Sequence, residues 1–347
     1  MRILCIDCEG PLTLNDNAFE ICRSFLPGGE VFFKTVSSFD DLLADVIKKE
    51  GYSAGSTLRL IVPFFKAFGL SNQKIEEFSL KTLRFVPGAD RVIKNLKHKM
   101  EIFIISTSYT PYIKALCEKI SFPFQNAFST FLDLDSYSME EKEKEKLLLF
   151  YQKIKKINLS PPKGKKSLSS EEEKALFELE EIFFKEIPSM KCAKIMEKVN
   201  PVGGEEKEKA ILACLNKTCS EPQDVIYVGD SITDTKALRF VREKEGASIS
   251  FNGNIYALRE AEFACISLHS FPLFLIIKKF KEGGRNLLLK LSSEWPEMLE
   301  KEERKKLKQL APESIFVKVE KENFPFIVEE SEKTRKKLRG KIIGALG

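Results

Sequence analysis

Histidine is nearly missing from this chain: His98 and His269 are the only two in 347 residues. Zinc centres and Ser-His-Asp triads draw on imidazole, so two histidines far apart in sequence leave those chemistries without their parts. A charge excess is also lacking, since 56 basic residues stand against 51 acidic ones for a net charge of +5. A nucleic-acid-binding surface usually declares itself as a strong basic excess, so no nucleic-acid partner is expected. No apolar run approaches the roughly 18 residues of a membrane span. The longest, FPLFLII, reads as a core segment. The eight cysteines are scattered, and the chain opens directly on an apolar run, so they read as reduced thiols in a cytoplasm. One CxxC exists, Cys5 to Cys8, but no second pair completes a tetrahedral site. On a strand, residues three apart project to opposite faces.

What is present is a packed globular chain, 43% apolar and 31% charged. Short apolar runs ended by polar residues alternate with segments of helical period. Strands are expected at 2–7 (RILCID), 101–106 (EIFIIS), 127–132 (AFSTFL) and 224–229 (DVIYVG), followed by ASISFN and FACISL. SFDDLLADVIKKEG has a serine cap, apolar spacing and a glycine stop, and TPYIKALCEKI and EEKEKAILACLNK read as helices in the same way. Alternation of this kind gives an α/β, doubly wound parallel sheet, Rossmann-like, covered on both faces. Residues 15–86 read as a helical cap. Residues 134–199 are rich in Lys and Glu and read as a charged helical insertion, a solvent-exposed hairpin broken by a Pro/Gly/Ser/Lys linker at 158–170. Residues 269–347 read as a helical C-terminal extension that ends in a basic amphipathic segment, EKTRKKLRGKIIGALG; the favoured reading packs it on the core, a membrane-surface or partner helix and an oligomer contact are the alternatives, and its charge run reads as a solvated face.

Active sites of open α/β sheets form at the carboxyl ends of the strands. Three expected strands end there in reactive residues: Asp7 with Glu9, then Ser106-Thr107-Ser108, then Asp230 with Asp234. Carboxylates crowded on one rim repel unless something positive lies between them. Without histidine, the natural partner is a hard cation with oxygen ligands, and magnesium with a phosphate substrate fits best.

These residues resemble the haloacid-dehalogenase-like phosphohydrolases over roughly 1–133 and 200–268. Asp7-Cys8-Glu9-Gly10-Pro11 matches the Asp-x-Asp-Gly-Thr motif, with Glu for the second Asp and Pro for Thr. IFIIS, ending in Ser106, matches the second motif. GGEEKEKAIL supplies the motif lysine, Lys207 or else Lys209, and Gly229-Asp230-Ser231-Ile232-Thr233-Asp234 matches the fourth. The helical segment before FVPGADRVIKNL resembles the cap of phosphoserine-phosphatase-like members, and the 134–199 insertion occupies the family's other cap position unless it is only an exposed hairpin. The core, by this resemblance, comprises 1–14, 87–133 and 200–268.

The resemblance implies a magnesium-dependent phosphomonoesterase on a small cytosolic phosphometabolite, working through an aspartyl-phosphate. Asp7 is then the nucleophile and Glu9 the proton donor and acceptor. Ser106 bonds a phosphoryl oxygen, and Lys207 offsets charge. Magnesium is held by Asp7, the carbonyl of Glu9 and Asp230, with Asp234 as ligand or behind the ligands. The backbone of Cys8 to Gly10, with Thr107, is expected around the phosphate, and Asp16 where related enzymes read a substrate amine. Arg59 and Arg84 are cap residues for a substrate carboxylate or, alternatively, surface ion pairs. Two other functions remain open: a phosphotransferase of the same fold, and a non-catalytic accessory subunit with a phosphatase-like fold.

Overall fold

The computed structural model describes residues 1–52, 54–159 and 167–344. Its strands are β1 (Ile3–Ile6), β2 (Glu101–Tyr109), β3 (Ala127–Thr130), β4 (Val225–Gly229), β5 (Ala247–Phe251), β6 (Phe263–Ile266) and β7 (Ile315–Lys318). They form one sheet in the order β3-β2-β1-β4-β5-β6-β7. Every neighbouring pair is parallel except β6 with β7. The chain winds to one side of β1, through β2 and β3, and then to the other through β4 to β6. The crevice at that reversal lies at the carboxyl ends of β1, β2 and β4.

The helices between β1 and β2 are α1 (Asn17–Phe25), α2 (Gly29–Asp41), α3 (Thr57–Ala67), α4 (Asn72–Thr82) and α5 (Ala89–Leu96). Then come α6 (Thr110–Ile120), α7 (Glu141–Lys156), α8 (Ser170–Glu180), α9 (Ala193–Lys198), α10 (Glu205–Thr218), α11 (Thr235–Glu243) and α12 (Ile255–Glu260). The chain closes with α13 (Phe271–Ser293), α14 (Lys301–Leu310) and α15 (Phe324–Ile343). No helix among the described residues is long and apolar enough to cross a membrane.

The strand period of two sorts the core. Leu4 and Ile6 face a cluster with Val92, Leu116 and Ile276 from α5, α6 and α13. Ile3 and Cys5 face the opposite cluster, with Ile211 and Leu238 from α10 and α11. Both faces of β1 are therefore buried, which is why its sequence is a continuous apolar run rather than an alternating one.

Two expectations change. The first concerns the charged insertion, which is not a free hairpin: Leu147, Phe150, Tyr151 and Ile154 of α7 join the same apolar cluster as the cap residues Phe32, Phe39 and Phe64. Ring centroids of Phe32 and Tyr151 lie 4.7 Å apart, and those of Phe39 and Phe183 lie 5.7 Å apart. The Lys and Glu residues of α7 cover the outside of a helix whose aromatic stripe completes the cap core. Most of the expected linker at 158–170 falls in 160–166, outside the described residues.

The second concerns the C-terminal extension, which is not helical throughout. Ile315–Lys318 pairs antiparallel with β6 and closes the sheet edge. Phe316 is the reason: it is fully buried, stacked on Phe263 at 5.5 Å and edge-on to Trp295 at 5.7 Å. A four-residue strand between charged segments gives almost no period to read.

Truncating Tyr151 to alanine should destabilise the protein by about 3 kcal/mol, as deleting a buried aromatic does. Leu149→Ala, on the same helix but 64% exposed, should stay within about 0.5 kcal/mol. Denaturant unfolding of the two variants checks that α7 belongs to the cap core.

Candidate active site

β1 and β4 run in register, Ile6 opposite Val228, and the Asp7 amide donates to the Val228 carbonyl at 2.9 Å. That register delivers Asp7 and Asp230, each just beyond its strand, to the same rim. Two glycines let the loops come this close. A Cβ on Gly10, whose φ is +103°, would fall 2.2 Å from Asp230 Oδ2, and one on Gly229 would fall 2.5 Å from Asp234 Cγ. The loop after Asp7 closes on itself, with Leu12 and Thr13 amides donating to the Cys8 carbonyl and the Gly10 amide donating to Thr13. No bond in this loop needs the amide that Pro11 lacks.

Behind the rim lies Lys207, 0% exposed, at the start of α10. Its Nζ is 2.8 Å from Asp7 Oδ2 and 2.7 Å from Asp234 Oδ1. Asp234 is saturated: Oδ1 also accepts from Tyr227 Oη at 2.6 Å, and Oδ2 accepts the amides of Asp230 and Ser231, each at 3.0 Å. The other Asp7 oxygen accepts from the Cys8 amide at 2.7 Å.

The charges do not balance. Burial, reinforced by Asp234 and Asp230, pushes the Asp7 carboxyl up to about 8 despite Lys207. Asp234 is also penalised by burial, but Lys207 and its hydrogen bonds outweigh this and hold it below the usual range. Lys207 loses by burial and gains more from its two aspartates, so it stays charged. Glu9 is held well above the ordinary carboxylate range, first by removal from water and then by Asp16, although its Oε1 accepts the Asn17 amide at 2.6 Å. Asp16 caps α1 through the Phe19 amide at 3.0 Å and is itself raised by burial.

The cavity in front of these groups has a volume of about 110 Å³. Asp7, Glu9, Asp16, Ser106, Thr107 and Asp230 line it, with Asp40 and Asp41 of the cap. Of the other expected residues, Gly10 forms the turn. The Ser106 hydroxyl accepts the Ser108 amide at 3.2 Å, and the Thr107 hydroxyl donates to Val202 at 2.9 Å. The structure separates some expected residues from the site. The Cys8 thiol points into the sheet core beside Thr13, at 3.7 Å, because the residue after Asp7 falls on the opposite face. The Cys8 and Gly10 amides are already used within the loop, so they do not stand free for a phosphate. Of the two candidate lysines, Lys207 reaches Asp7, while Lys209 pairs with Glu206 on the surface. Arg84 pairs with Glu20 at 2.9 Å, away from the cavity, and Arg59 does not line it.

Two residues at the cavity were not expected. Arg335 and Arg339 of α15 are 3% and 7% exposed in their side chains, and both donate to Asp230 Oδ2, Arg339 at 3.2 Å. Arg335 also reaches the Asp230 carbonyl at 3.2 Å, and Arg339 reaches the carbonyls of Leu14 and Asn15. The basic C-terminal segment is thus no solvated face at these positions. The available signal was a pair of arginines at i, i+4 within a run of lysines, since that spacing puts both on one side of a helix. Tyr227 gave no such signal, being one apolar-looking residue in a buried strand.

The donors suit a hard divalent cation. Ligand oxygens of Asp7, Asp230 and Asp234 lie within 4.8 Å of one another. Burial first, and then Asp234 and Asp230, raise the Asp7 carboxyl to about 8, and a divalent cation beside it would favour its ionised form. Asp7 and Asp230 face the cavity as possible ligands. Asp234, with both oxygens committed, positions Lys207 and the loop instead.

No protein-family profile matches the chain, and no curated protein does. Among solved structures, the gene product AF1437 from Archaeoglobus fulgidus is 30% identical, covering 100% of this chain and 99% of its own, with a TM-score of 0.84. A substrate-bound phosphoserine phosphatase is 17% identical over 76% of this chain and 91% of its own, with a TM-score of 0.45. The HAD family hydrolase t0658 from Salmonella enterica serovar Typhi is 11% identical over 73% of this chain and 62% of its own, with a TM-score of 0.44.

Removing Lys207 by Lys207→Met leaves two buried aspartates without their cation and should cost about 3–5 kcal/mol in unfolding free energy. A pH series tests Asp7. The unfolded carboxyl titrates near 4 and the folded one at about 8, so the fold keeps a proton that the unfolded chain has lost. Without divalent cation, the wild type should therefore lose stability as pH rises from about 4 to about 8. Asp7→Asn should melt higher than wild type at the top of that window, with the gap closing towards its bottom.

Proposed function

We propose that this chain, which belongs to the family of the Archaeoglobus fulgidus gene product AF1437, is a magnesium-dependent phosphomonoester hydrolase with a haloacid-dehalogenase-like core, acting on a small phosphorylated metabolite. One observation supports this above the others: Asp7 stands at the carboxyl end of the central strand, backed by Lys207 and Asp234, with Glu9 two residues further on.

In this reading an Asp7 carboxylate oxygen attacks phosphorus, and the bond to the leaving oxygen breaks. Glu9, whose environment keeps it protonated well above the usual range, gives its proton to that oxygen. A shift in this direction is what a general acid needs. Glu9, now a carboxylate, then takes a proton from water as the water oxygen attacks the aspartyl-phosphate. Phosphate leaves, and Asp7 is regenerated. Lys207 holds one Asp7 oxygen and offsets charge as the phosphoryl group arrives. Ser106 lines the cavity where a phosphoryl oxygen would rest. Magnesium, held by Asp7, the Glu9 carbonyl and Asp230, would neutralise charge so that one anion can attack another.

A second reading has its own support. Arg335 and Arg339 already sit on Asp230, as they would in a phosphatase-like accessory subunit without turnover.

Hydrolysis of para-nitrophenyl phosphate with and without magnesium separates the two readings. The hydrolase should turn over only with magnesium, and Asp7→Asn should abolish turnover while the protein stays folded. Glu9→Gln should slow it by about 10²–10⁴-fold, the usual contribution of a positioned proton donor. Near-normal activity in Asp7→Asn would remove the nucleophile assignment. No hydrolysis of any phosphoester by the folded wild type would favour the accessory subunit.

A further inference from the structure

The helix α15 runs from the core, past Asp230, to the cap. Near its start, Ile327 is fully buried against Leu258, Ala264 and Ile266 of the core. One turn on, the Ser331 hydroxyl donates to the Gly253 carbonyl at 2.6 Å. Next come Arg335 and Arg339 on Asp230, and Arg339 also on Leu14 and Asn15. Beyond the break at Gly340, where φ is +80°, Ile343 is buried in the cap cluster. The helix is anchored to the core at one end, passes over the reacting carboxylates, and ends in the cap.

We propose that α15 is an autoinhibitory strap, in which Arg335 and Arg339 act as built-in counter-cations of Asp230 that a divalent cation must displace. This rests on the reading of Asp7 and Asp230 as cation ligands. Three observations carry it. First, both guanidiniums converge on one oxygen, Asp230 Oδ2, of a carboxylate that faces the cavity. A divalent cation brought to the same carboxylate would face two positive charges, so the occupants exclude one another. Second, among the described residues that line the cavity, the two arginines supply the positive charge against Asp7, Glu9, Asp16, Asp40, Asp41 and Asp230. Their removal would leave Asp230 without its two cations, since Lys207 behind the rim serves Asp7 and Asp234. Third, the cavity of about 110 Å³ falls well short of the roughly 300 Å³ at which ligand pockets begin. The cavity thus leaves little room beside the arginines, and Ile343 ties the strap to the cap.

Linkage then runs both ways: a cation that displaces the arginines loosens the strap, and a loosened strap raises cation affinity. The test measures binding of Mg²⁺ alone by calorimetry, on the full-length wild type and on the double variant Arg335→Gln with Arg339→Gln. The double variant should bind Mg²⁺ at least ten-fold tighter. In the unaltered wild type, Mg²⁺ should speed amide hydrogen exchange in residues 335–343, which needs no substitution and so no variant that folds. Equal or weaker Mg²⁺ affinity in a folded double variant, or exchange in 335–343 that Mg²⁺ leaves unchanged, would overturn the strap. So would unchanged Mg²⁺ affinity joined to lost binding of inorganic phosphate, which would make the arginines an anion receptor. If neither protein binds Mg²⁺, the cation site fails and the strap with it; if both bind it equally and the wild type hydrolyses phosphoesters, the strap alone fails.

Discussion

Lys207 holds the site together. It is a fully buried cation with an aspartate on either side, at 2.8 Å and 2.7 Å. Burying charges is unfavourable unless each is paired and its remaining hydrogen-bonding capacity is met. Lys207 satisfies that condition by drawing together three segments far apart in sequence: the end of β1, the start of α10 and the loop after β4. Tyr227 and two backbone amides complete Asp234, so the loop that carries Asp230 is fixed from behind. The aspartates therefore divide their work by depth. Asp234 spends its oxygens on structure, and Asp7 and Asp230 are left facing the cavity.

That arrangement creates a second constraint in front. The acids at the cavity outnumber their cations, and burial magnifies the repulsion among them. A crowd of buried carboxylates persists either by taking protons, as Asp7 does at about 8, or by gaining positive charge. The C-terminal helix supplies such charge from within the chain, and a divalent cation would supply it from outside. The same electrostatic need that makes the site able to bind a metal makes it able to bind its own tail.

The sequence disclosed the parts of this design that depend on local pattern. A strand that ends in Asp7 and a turn at Gly10 can be read directly, because apolar runs and punctuation are local properties. The Gly229-to-Asp234 motif can be read in the same way, but whether Asp234 is a ligand or lies behind the ligands depends on the tertiary position of Lys207. Lys207 against Lys209 stayed open because both lie in a helix start crowded with charge, and only the tertiary position of Asp7 selects between them. Arg335 and Arg339 lay hidden for a related reason. A basic helix looks the same in sequence whether it meets water or a buried carboxylate, and the difference lies some hundred residues away at Asp230. The cap core behaved likewise. Leu147, Phe150, Tyr151 and Ile154 are helically spaced, but the Lys and Glu residues around them are equally those of a helix with a single wet face.

The choice of arginine at positions 335 and 339 adds a last step. Lysine occupies 333, 336, 337 and 341 of the same segment. A lysine ammonium is a point charge, whereas a guanidinium offers donors in a planar fork. Arg339 uses that fork fully, with Nε on the Leu14 carbonyl, Nη1 on Asp230 and Nη2 on the Asn15 carbonyl. Two of its three contacts are to backbone oxygens that carry no formal charge and that a metal at Asp230 would leave in place. Arg335 instead shares its Nη1 between the carboxylate and the carbonyl of Asp230 itself. Arg339 therefore ties Asp230 to the loop after β1 through Leu14 and Asn15, while Arg335 ties the backbone and the carboxylate of Asp230 to α15.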